Sequence, residues 1–115
     1  MQTMRQAAQA YQAAATHRSA REQEADVFRY AIGALKGAQN ANSIARAQAI
    51  ADNRLLWLTV TDLMLDPLNA LPPELRASIV SVGAAVQRET QRDTPNFEFL
   101  IDINENIAAG LAQRV

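Results

Sequence analysis

The chain contains no cysteine, which excludes disulfide bonds, thiolate metal sites and cysteine nucleophiles. Histidine is also scarce, because His17 is the only one. One imidazole without neighbouring ligands is more typical of a solvated side chain than of a metal site or a catalytic triad. The four glycines are scattered rather than gathered into a phosphate-binding loop. We therefore expect no catalytic residue, no metal and no cofactor, and we predict that the protein is not an enzyme.

Aromatic residues are few, at 5% of the chain, whereas alanine, leucine, isoleucine and valine are plentiful. This composition favours a thin aliphatic core between closely spaced helices over a pair of packed sheets. The sequence also lacks an apolar run of the roughly 18–20 residues that cross a bilayer, and its first residues lack the leucine-rich core of a secretory signal. We expect a protein that has no membrane partner and works in the cytoplasm.

The chain has no large excess of either charge, because 11 basic and 12 acidic residues give a formal net charge of −1. A domain that neutralises several phosphates needs a basic surplus, so direct binding of nucleic acid is not expected. Arg5, Arg18 and Arg21 do occur near the start of the chain without an acid among them. Three separated arginines are more typical of a solvated segment than of an RNA-binding arm.

Helical patterns account for most of the chain. Residues 1–16 are rich in alanine and glutamine, which favour a helix but offer little apolar surface. They predict a partly ordered N-terminal arm that is helical when docked. Ser19 and Glu22 have the spacing of a capping box, and a first helix is predicted from about residue 21 to residue 39. Residues 17–115 are predicted to form one helical bundle domain.

A second helix is predicted after Asn42 and Ser43, which are good N-cap residues. From residue 55 to residue 65 the sequence is apolar on nearly every side, and this is typical of a central helix. Trp57 is expected in the core, with a partner for its ring N–H. Apolar residues at helical spacing predict one buried face along this helix: Ile44, Ala47, Ala51, Leu55, Leu58 and Leu65.

Three proline sites divide the rest of the chain. Asp66-Pro67 ends the second helix, Pro72-Pro73 begins the third, and Thr94-Pro95 begins the fourth, with Thr94 as its N-cap. The third and fourth helices each carry one apolar face, and no strand pattern of useful length occurs. Four helices with short connections predict an all-α fold, a four-helix antiparallel bundle with an N-terminal arm.

Asp62 interrupts the apolar segment of the second helix. A buried carboxylate must be paired or hydrogen-bonded, and Arg76 or Arg54 is the expected partner. We favour a buried ion pair that orients the second and third helices. The alternative is a polar anchor at a groove that binds a partner.

Several short motifs carry a family resemblance. They are Leu56-Trp57, Asp62-Leu63, Asn69-Ala70-Leu71-Pro72, Leu75-Arg76-Ala77 and Ile79-Val80-Ser81-Val82-Gly83. In this order and at this close spacing, the motifs resemble those of the FlaF flagellar proteins of alphaproteobacteria. The segment from Asn96-Phe97 to Gly110-Leu111 is similar to the tail of that family, and Ala10-Tyr11-Gln12 is similar to its opening. The resemblance covers nearly the whole chain.

The resemblance to FlaF implies a part in flagellin production, namely binding flagellin before export and coupling flagellin synthesis to assembly. Flagellin is therefore the expected partner, and the regulator FlbT is a second candidate. An alternative hypothesis is a regulatory adaptor that acts on flagellin translation with FlbT, or on its RNA target, without holding flagellin. A third hypothesis is a structural bundle that only oligomerises. The sequence leaves the oligomeric state open.

The partner-binding site is expected where the second helix ends, the turn from Leu68 to Pro73 follows and the third helix begins. An apolar groove between helices accepts an amphipathic helix through anchors at i, i+3, i+4 and i+7. Tyr11 in the arm would close over this groove, or occupy it when it is empty. The residues expected to bind the partner are Tyr11, Gln12, Trp57, Asp62, Leu65, Leu68, Asn69, Leu71, Pro72, Leu75 and Arg76.

Overall fold

The computed structural model describes the backbone of residues 2–112 and, within that range, the side chains of residues 4, 6, 7 and 23–111. Helices α1 (Gln2–Ala38), α2 (Ser43–Leu65), α3 (Pro73–Thr90) and α4 (Phe97–Ala112) make up this part of the chain, without a strand. The connections between them are short, so consecutive helices run antiparallel. The prediction of an all-α bundle is confirmed.

Helix α1 packs against both α2 and α4, and α3 packs against α2. The Lys36 ammonium lies 2.8 Å from a carboxylate oxygen of Glu105 and joins α1 to α4. The side-chain amide of Gln87 donates to the Arg54 carbonyl at 3.1 Å and joins α3 to α2. Over the described residues, α3 and α4 approach each other less closely than these three pairs do. The bundle is therefore more open along its α3–α4 side.

The first helix begins much earlier than predicted. It starts at Gln2 instead of near residue 21, and Ser19 lies inside it rather than at its N-cap. The alanine- and glutamine-rich sequence explains this, because these residues have high helix propensity and nothing in the segment interrupts it. Among the described side chains of α1, the buried ones lie between Ala25 and Ala38. Whether residues 1–16 behave as a separate arm stays a prediction.

The buried face of α2 is the opposite of the predicted one. Ala49, Asn53, Trp57, Val60 and Met64 are buried, whereas the predicted stripe faces outward, including an Ile44 side chain that is 80% exposed. Because this helix is apolar on two faces, periodicity alone does not decide which of them is covered. Burial of the Trp57 ring and its polar partners decides it. The prediction of a buried face that runs from Ile44 to Leu65 was therefore wrong.

Trp57 is the centre of the core and has no exposed surface. Its ring meets that of Phe28 edge-on, with centroids 5.7 Å apart, an arrangement that aromatic pairs favour. The indole N–H donates to Asn104 Oδ1 at 2.9 Å, and the Asn104 amide donates to Asn53 Oδ1 at 2.7 Å. The expected partner for the indole N–H is thus confirmed, and a buried polar chain links α2 to α4.

Two N-caps fix the starts of α2 and α4. Asn42 Oδ1 accepts from the Ala45 N–H at 2.8 Å, as predicted. Asn96, and not Thr94, caps α4, since its Oδ1 accepts from the Phe99 N–H at 3.1 Å. The Asn96 N–H in turn donates to Glu89 Oε2 at 2.8 Å. This backbone hydrogen bond, assisted by Arg92, holds the pKa of the Glu89 carboxyl below its usual value, which favours the charged form that anchors the loop.

Gly83 allows the close approach of α3 to α2. A Cβ at this position would lie 2.8 Å from Thr61 Oγ1 and 3.3 Å from Trp57 Cε3. We expect Gly83→Ala to lower the free energy of unfolding by about 1–3 kcal/mol, because the overpacked interface must shift. Gly33 is the matched control, since it also lies in a helix but a Cβ there would meet nothing within 4 Å. Gly33→Ala should raise the free energy of unfolding by about 0.5–1 kcal/mol, and urea denaturation measures both. A stabilising Gly83→Ala would show that this close approach is dispensable.

Candidate partner-binding site

The turn between α2 and α3 is tied together by its own side chains. Asp66 Oδ1 accepts from the Leu68 N–H at 2.9 Å. The Asn69 amide donates to the Leu63 carbonyl at 2.8 Å, and Asn69 Oδ1 accepts from the Leu71 N–H at 2.9 Å. Asn69 therefore closes the end of α2 and shapes the turn at the same time. Leu68 stands at the tip and is 90% exposed.

Arg76 holds the turn from the α3 side. Its Nε donates to the Leu71 carbonyl at 3.1 Å, and its Nη1 donates to the Met64 carbonyl at 3.3 Å and to the Asp66 carbonyl at 3.4 Å. These carbonyls lie at the end of α2 and in the turn, where no helical N–H is available to them. A guanidinium with several fixed donors suits this task. Arg76 is thus a positioning residue for the whole turn.

The predicted buried ion pair of Asp62 is not formed. Asp62 is exposed, Arg76 is committed to the turn, and no ion pair of Asp62 is present among the described residues. The prediction failed because it assumed that the apolar residues around Asp62 were buried. They belong to the outward face of α2, so the carboxylate stays in water. The alternative, a polar anchor at a groove that binds a partner, stays a prediction.

An apolar cleft opens on the side of the bundle where α3 and α4 are apart. It consists of two adjoining cavities of about 250 Å³ and 220 Å³, which share Ile79, Ile107 and Leu111 in their walls. We call this feature the α3–α4 cleft. The remaining walls come from α1, α2, the turn and both sides of the opening: Glu24, Phe28, Val60, Leu63, Met64, Asn69, Ala70, Leu71, Leu75, Asn106 and Gly110.

The predicted site residues divide among several places. Asn69, Leu71 and Leu75 line the α3–α4 cleft. Leu65 and Arg76 instead line a separate depression of about 340 Å³ on the outer side of α2 and α3. Leu68, Pro72 and Asp62 are exposed.

Two groups of predicted site residues cannot be placed on a partner-binding surface. Trp57 has no exposed surface, so its prediction as a partner contact was wrong, because a partner cannot touch it in this fold. Tyr11 and Gln12 lie in α1 but outside the residues whose side chains the structure describes. Their expected role over the groove stays a prediction.

The prediction missed the residues that α4 contributes to the cleft. Ile107 and Leu111 are half-buried and line both cavities. Their helical spacing was visible in the sequence, but spacing alone places such residues in the core. What identifies them as cleft residues is the gap between α3 and α4, which depends on the packing of all four helices.

Another depression, of about 480 Å³, lies at the opposite end of the bundle near the start of α2. Arg46, Arg54 and Arg92 line it together with Asp93, and the Arg46 guanidinium lies 4.4 Å from the centroid of the Phe97 ring. Its polar walls suit an apolar helix less well than the cleft does. The described residues contain no group of three potential metal ligands, and none of their helices is long and apolar enough to cross a membrane.

The model of the family described as flagellar protein FlaF matches residues 7–111, which includes all of α2, α3 and the turn, and nearly all of α4. No curated protein matches the chain, and no solved structure does.

Proposed function

We propose, from the premise that this chain belongs to the FlaF family of flagellar proteins, that it binds flagellin in the cytosol as an export chaperone and couples flagellin synthesis to assembly. Unassembled flagellin carries apolar terminal helices that must be kept from polymerising before export. The α3–α4 cleft is the surface that would shelter such a helix.

The geometry of the cleft is the observation that carries this proposal. Leu75 and Ile79 are one turn apart on α3, and Ile107 and Leu111 are one turn apart on α4. Two rows of aliphatic side chains therefore face each other across an opening, an arrangement that accepts the i, i+3, i+4 and i+7 anchors of an amphipathic helix.

The size of the cavities limits how flagellin binds. Cavities of about 250 Å³ and 220 Å³ accept a few aliphatic side chains but not a whole helix. The flagellin helix would lie across the mouth of the cleft and insert its anchors, each contributing about 1.5–3 kcal/mol when fully buried.

The alternative function is that of a regulatory adaptor. As an adaptor, the protein would bind FlbT, or act on the RNA target of FlbT, and would not hold flagellin. Binding measurements with each purified partner separate the two functions. Retention of FlbT together with no affinity for flagellin would favour the adaptor.

Leu111→Arg is expected to weaken flagellin binding at least tenfold. The substitution places a charge at a position shared by both cavities, where a flagellin anchor would have to be buried beside it. Purified monomeric flagellin is titrated with the protein, and the affinity is measured by calorimetry. Melting temperatures of the unbound variants confirm that the fold is intact.

Ala109→Arg is the matched control for this experiment. Ala109 lies on the same helix two residues away but is exposed outside the α3–α4 cleft. The control adds the same charge and should bind flagellin as the unmodified protein does. Equal binding by both variants would show that the cleft is not the flagellin site. An absence of binding by the unmodified protein would refute the chaperone proposal.

A further inference from the structure

Helix α2 presents a long apolar surface that faces away from the rest of the bundle. We call it the outer stripe, and it consists of Ile44, Ala47, Ala51, Leu55, Leu58 and Leu65, all of them exposed. Leu55 is 66% exposed, Leu58 53% and Leu65 63%. The stripe extends over roughly 32 Å at 1.5 Å per residue. Exposed apolar side chains in one continuous row mark a surface that another molecule covers.

The spacing within the stripe indicates the shape of that molecule. Ile44, Ala51, Leu58 and Leu65 are separated by intervals of seven residues. A seven-residue apolar repeat on one face of a helix is the pattern that packs against a second helix. Within the described part of the chain, α1 and α3 cover other sides of α2, and the stripe has no helix over it.

Asp62 lies within this stripe, between Leu58 and Leu65, and is exposed without an ion pair among the described residues. A helix that covers the stripe would remove water from this carboxylate, which is strongly unfavourable unless a cation replaces the water. An arginine or lysine at the middle of the occupant's own apolar face would offset this cost, so the position of Asp62 favours an occupant that carries one.

Pairing of α2 with the α2 of a second copy does not meet that requirement. Arg54 lies on the edge of the stripe next to α3, where its carbonyl accepts from Gln87. In an antiparallel two-fold pairing like edges meet, so Arg54 would lie against the same edge of the partner helix and not against its Asp62. In a parallel pairing Arg54 and Asp62 are about two turns, roughly 12 Å, apart along the axis. In both pairings Arg54 does not supply the cation for Asp62.

We propose that the outer stripe binds an amphipathic helix of another protein, whose apolar heptads are interrupted by a central arginine or lysine that pairs with Asp62. This surface is distinct from the α3–α4 cleft, because Val60 and Met64, which line the cleft, lie on the opposite face of α2. One molecule can therefore hold two helices at once. The proposal does not depend on flagellin being the occupant of the cleft.

Two synthetic peptides test the charge requirement. Each is an amphipathic helix of about 24 residues with leucine at its heptad positions, and they differ only in a central residue that is arginine or glutamate. Affinities are measured by fluorescence anisotropy with the full chain. We expect the arginine peptide to bind at least tenfold more tightly, and Asp62→Arg to reverse this preference.

Three further variants locate the binding. Leu58→Ser, in the stripe, should weaken the arginine peptide at least tenfold and remove its advantage over the glutamate peptide. Leu111→Arg, in the cleft, should not reduce the preference for the arginine peptide. Asp102→Arg makes the same charge change as Asp62→Arg at an exposed position of α4 and should leave the preference for the arginine peptide intact. This control separates recognition at Asp62 from the effect of net charge.

Several results would overturn the proposal. The first is that the two peptides bind with equal affinity, or that neither binds. The second is that Asp62→Arg leaves the preference for the arginine peptide unchanged, or that Asp102→Arg shifts it equally. The third is that Leu111→Arg abolishes peptide binding. Light scattering provides a separate check on self-association. A dimer that Leu58→Ser dissociates would assign the stripe to a second copy and refute a foreign occupant. The flagellin titration is a separate measurement, so failure of the stripe proposal leaves the chaperone proposal standing.

Discussion

Trp57→Ala is expected to lower the free energy of unfolding by about 3–5 kcal/mol, the range for removing a fully buried large aromatic side chain. Trp57 has no exposed surface. Its ring meets the Phe28 ring on α1, and its N–H donates to the Asn104 side-chain oxygen on α4. It also lies beside α3, since a Cβ at Gly83 would be 3.3 Å from its Cε3. Its removal leaves a cavity and also an Asn104 oxygen without its donor. For a domain of marginal stability, this loss is a large share of the total.

Urea denaturation followed by circular dichroism measures this effect. Leu58→Ala is the matched control, because it removes a large side chain from the adjacent position of the same helix but from the exposed face. The control should change the free energy of unfolding by no more than about 0.5 kcal/mol. If the two variants lost the same amount of stability, Trp57 would be no more buried than Leu58, and the buried face of α2 would be wrongly placed. A Trp57→Ala protein that melts normally but loses a partner would make Trp57 a contact residue.

The contrast between these two positions shows where sequence reasoning succeeds and where it stops. The helix ends follow from local rules, since Pro67 and Pro73 mark boundaries that neighbouring residues cannot override. The face that α2 buries does not follow from a local rule. Both faces carry aliphatic residues, and the choice depends on Asn53 and Asn104, which are distant in sequence and meet only in the folded bundle.

The candidate site was predictable to a similar extent. Proline and asparagine chemistry places the turn between α2 and α3, and Asn69 and Arg76 hold that turn in ways their residue types permit. The sequence could not show that the apolar residues of α4 line an opening instead of filling the core. The gap beside Ile107 and Leu111 is set by how far α3 stands from α4, and no pattern within either helix encodes that distance.

The second large effect is expected at the buried polar chain. Asn104→Leu should lower the free energy of unfolding by about 2–6 kcal/mol, because it leaves the indole N–H of Trp57 and the side-chain oxygen of Asn53 without partners, at about 1–3 kcal/mol for each group. All three side chains are fully buried, so water cannot replace the lost partner without the helices moving apart. Asn106→Leu is the matched control, since Asn106 is exposed on the same helix, and it should change the stability little.

The two buried asparagines differ in how many hydrogen bonds they make, and this difference allows a further test of the buried polar chain. Asn104 uses both of its amide atoms, whereas the side-chain nitrogen of Asn53 is buried without a partner. Asn53→Leu therefore removes an unsatisfied donor together with one hydrogen bond, and should cost less than Asn104→Leu. Each single variant leaves the other asparagine without its partner, whereas the double variant removes both amides together. The double variant should therefore lose less stability than the sum of the two single losses. Strictly additive losses in urea denaturation would show that the amides are not coupled. The α2–α4 alignment would then rest on the Trp57–Asn104 hydrogen bond and on apolar packing.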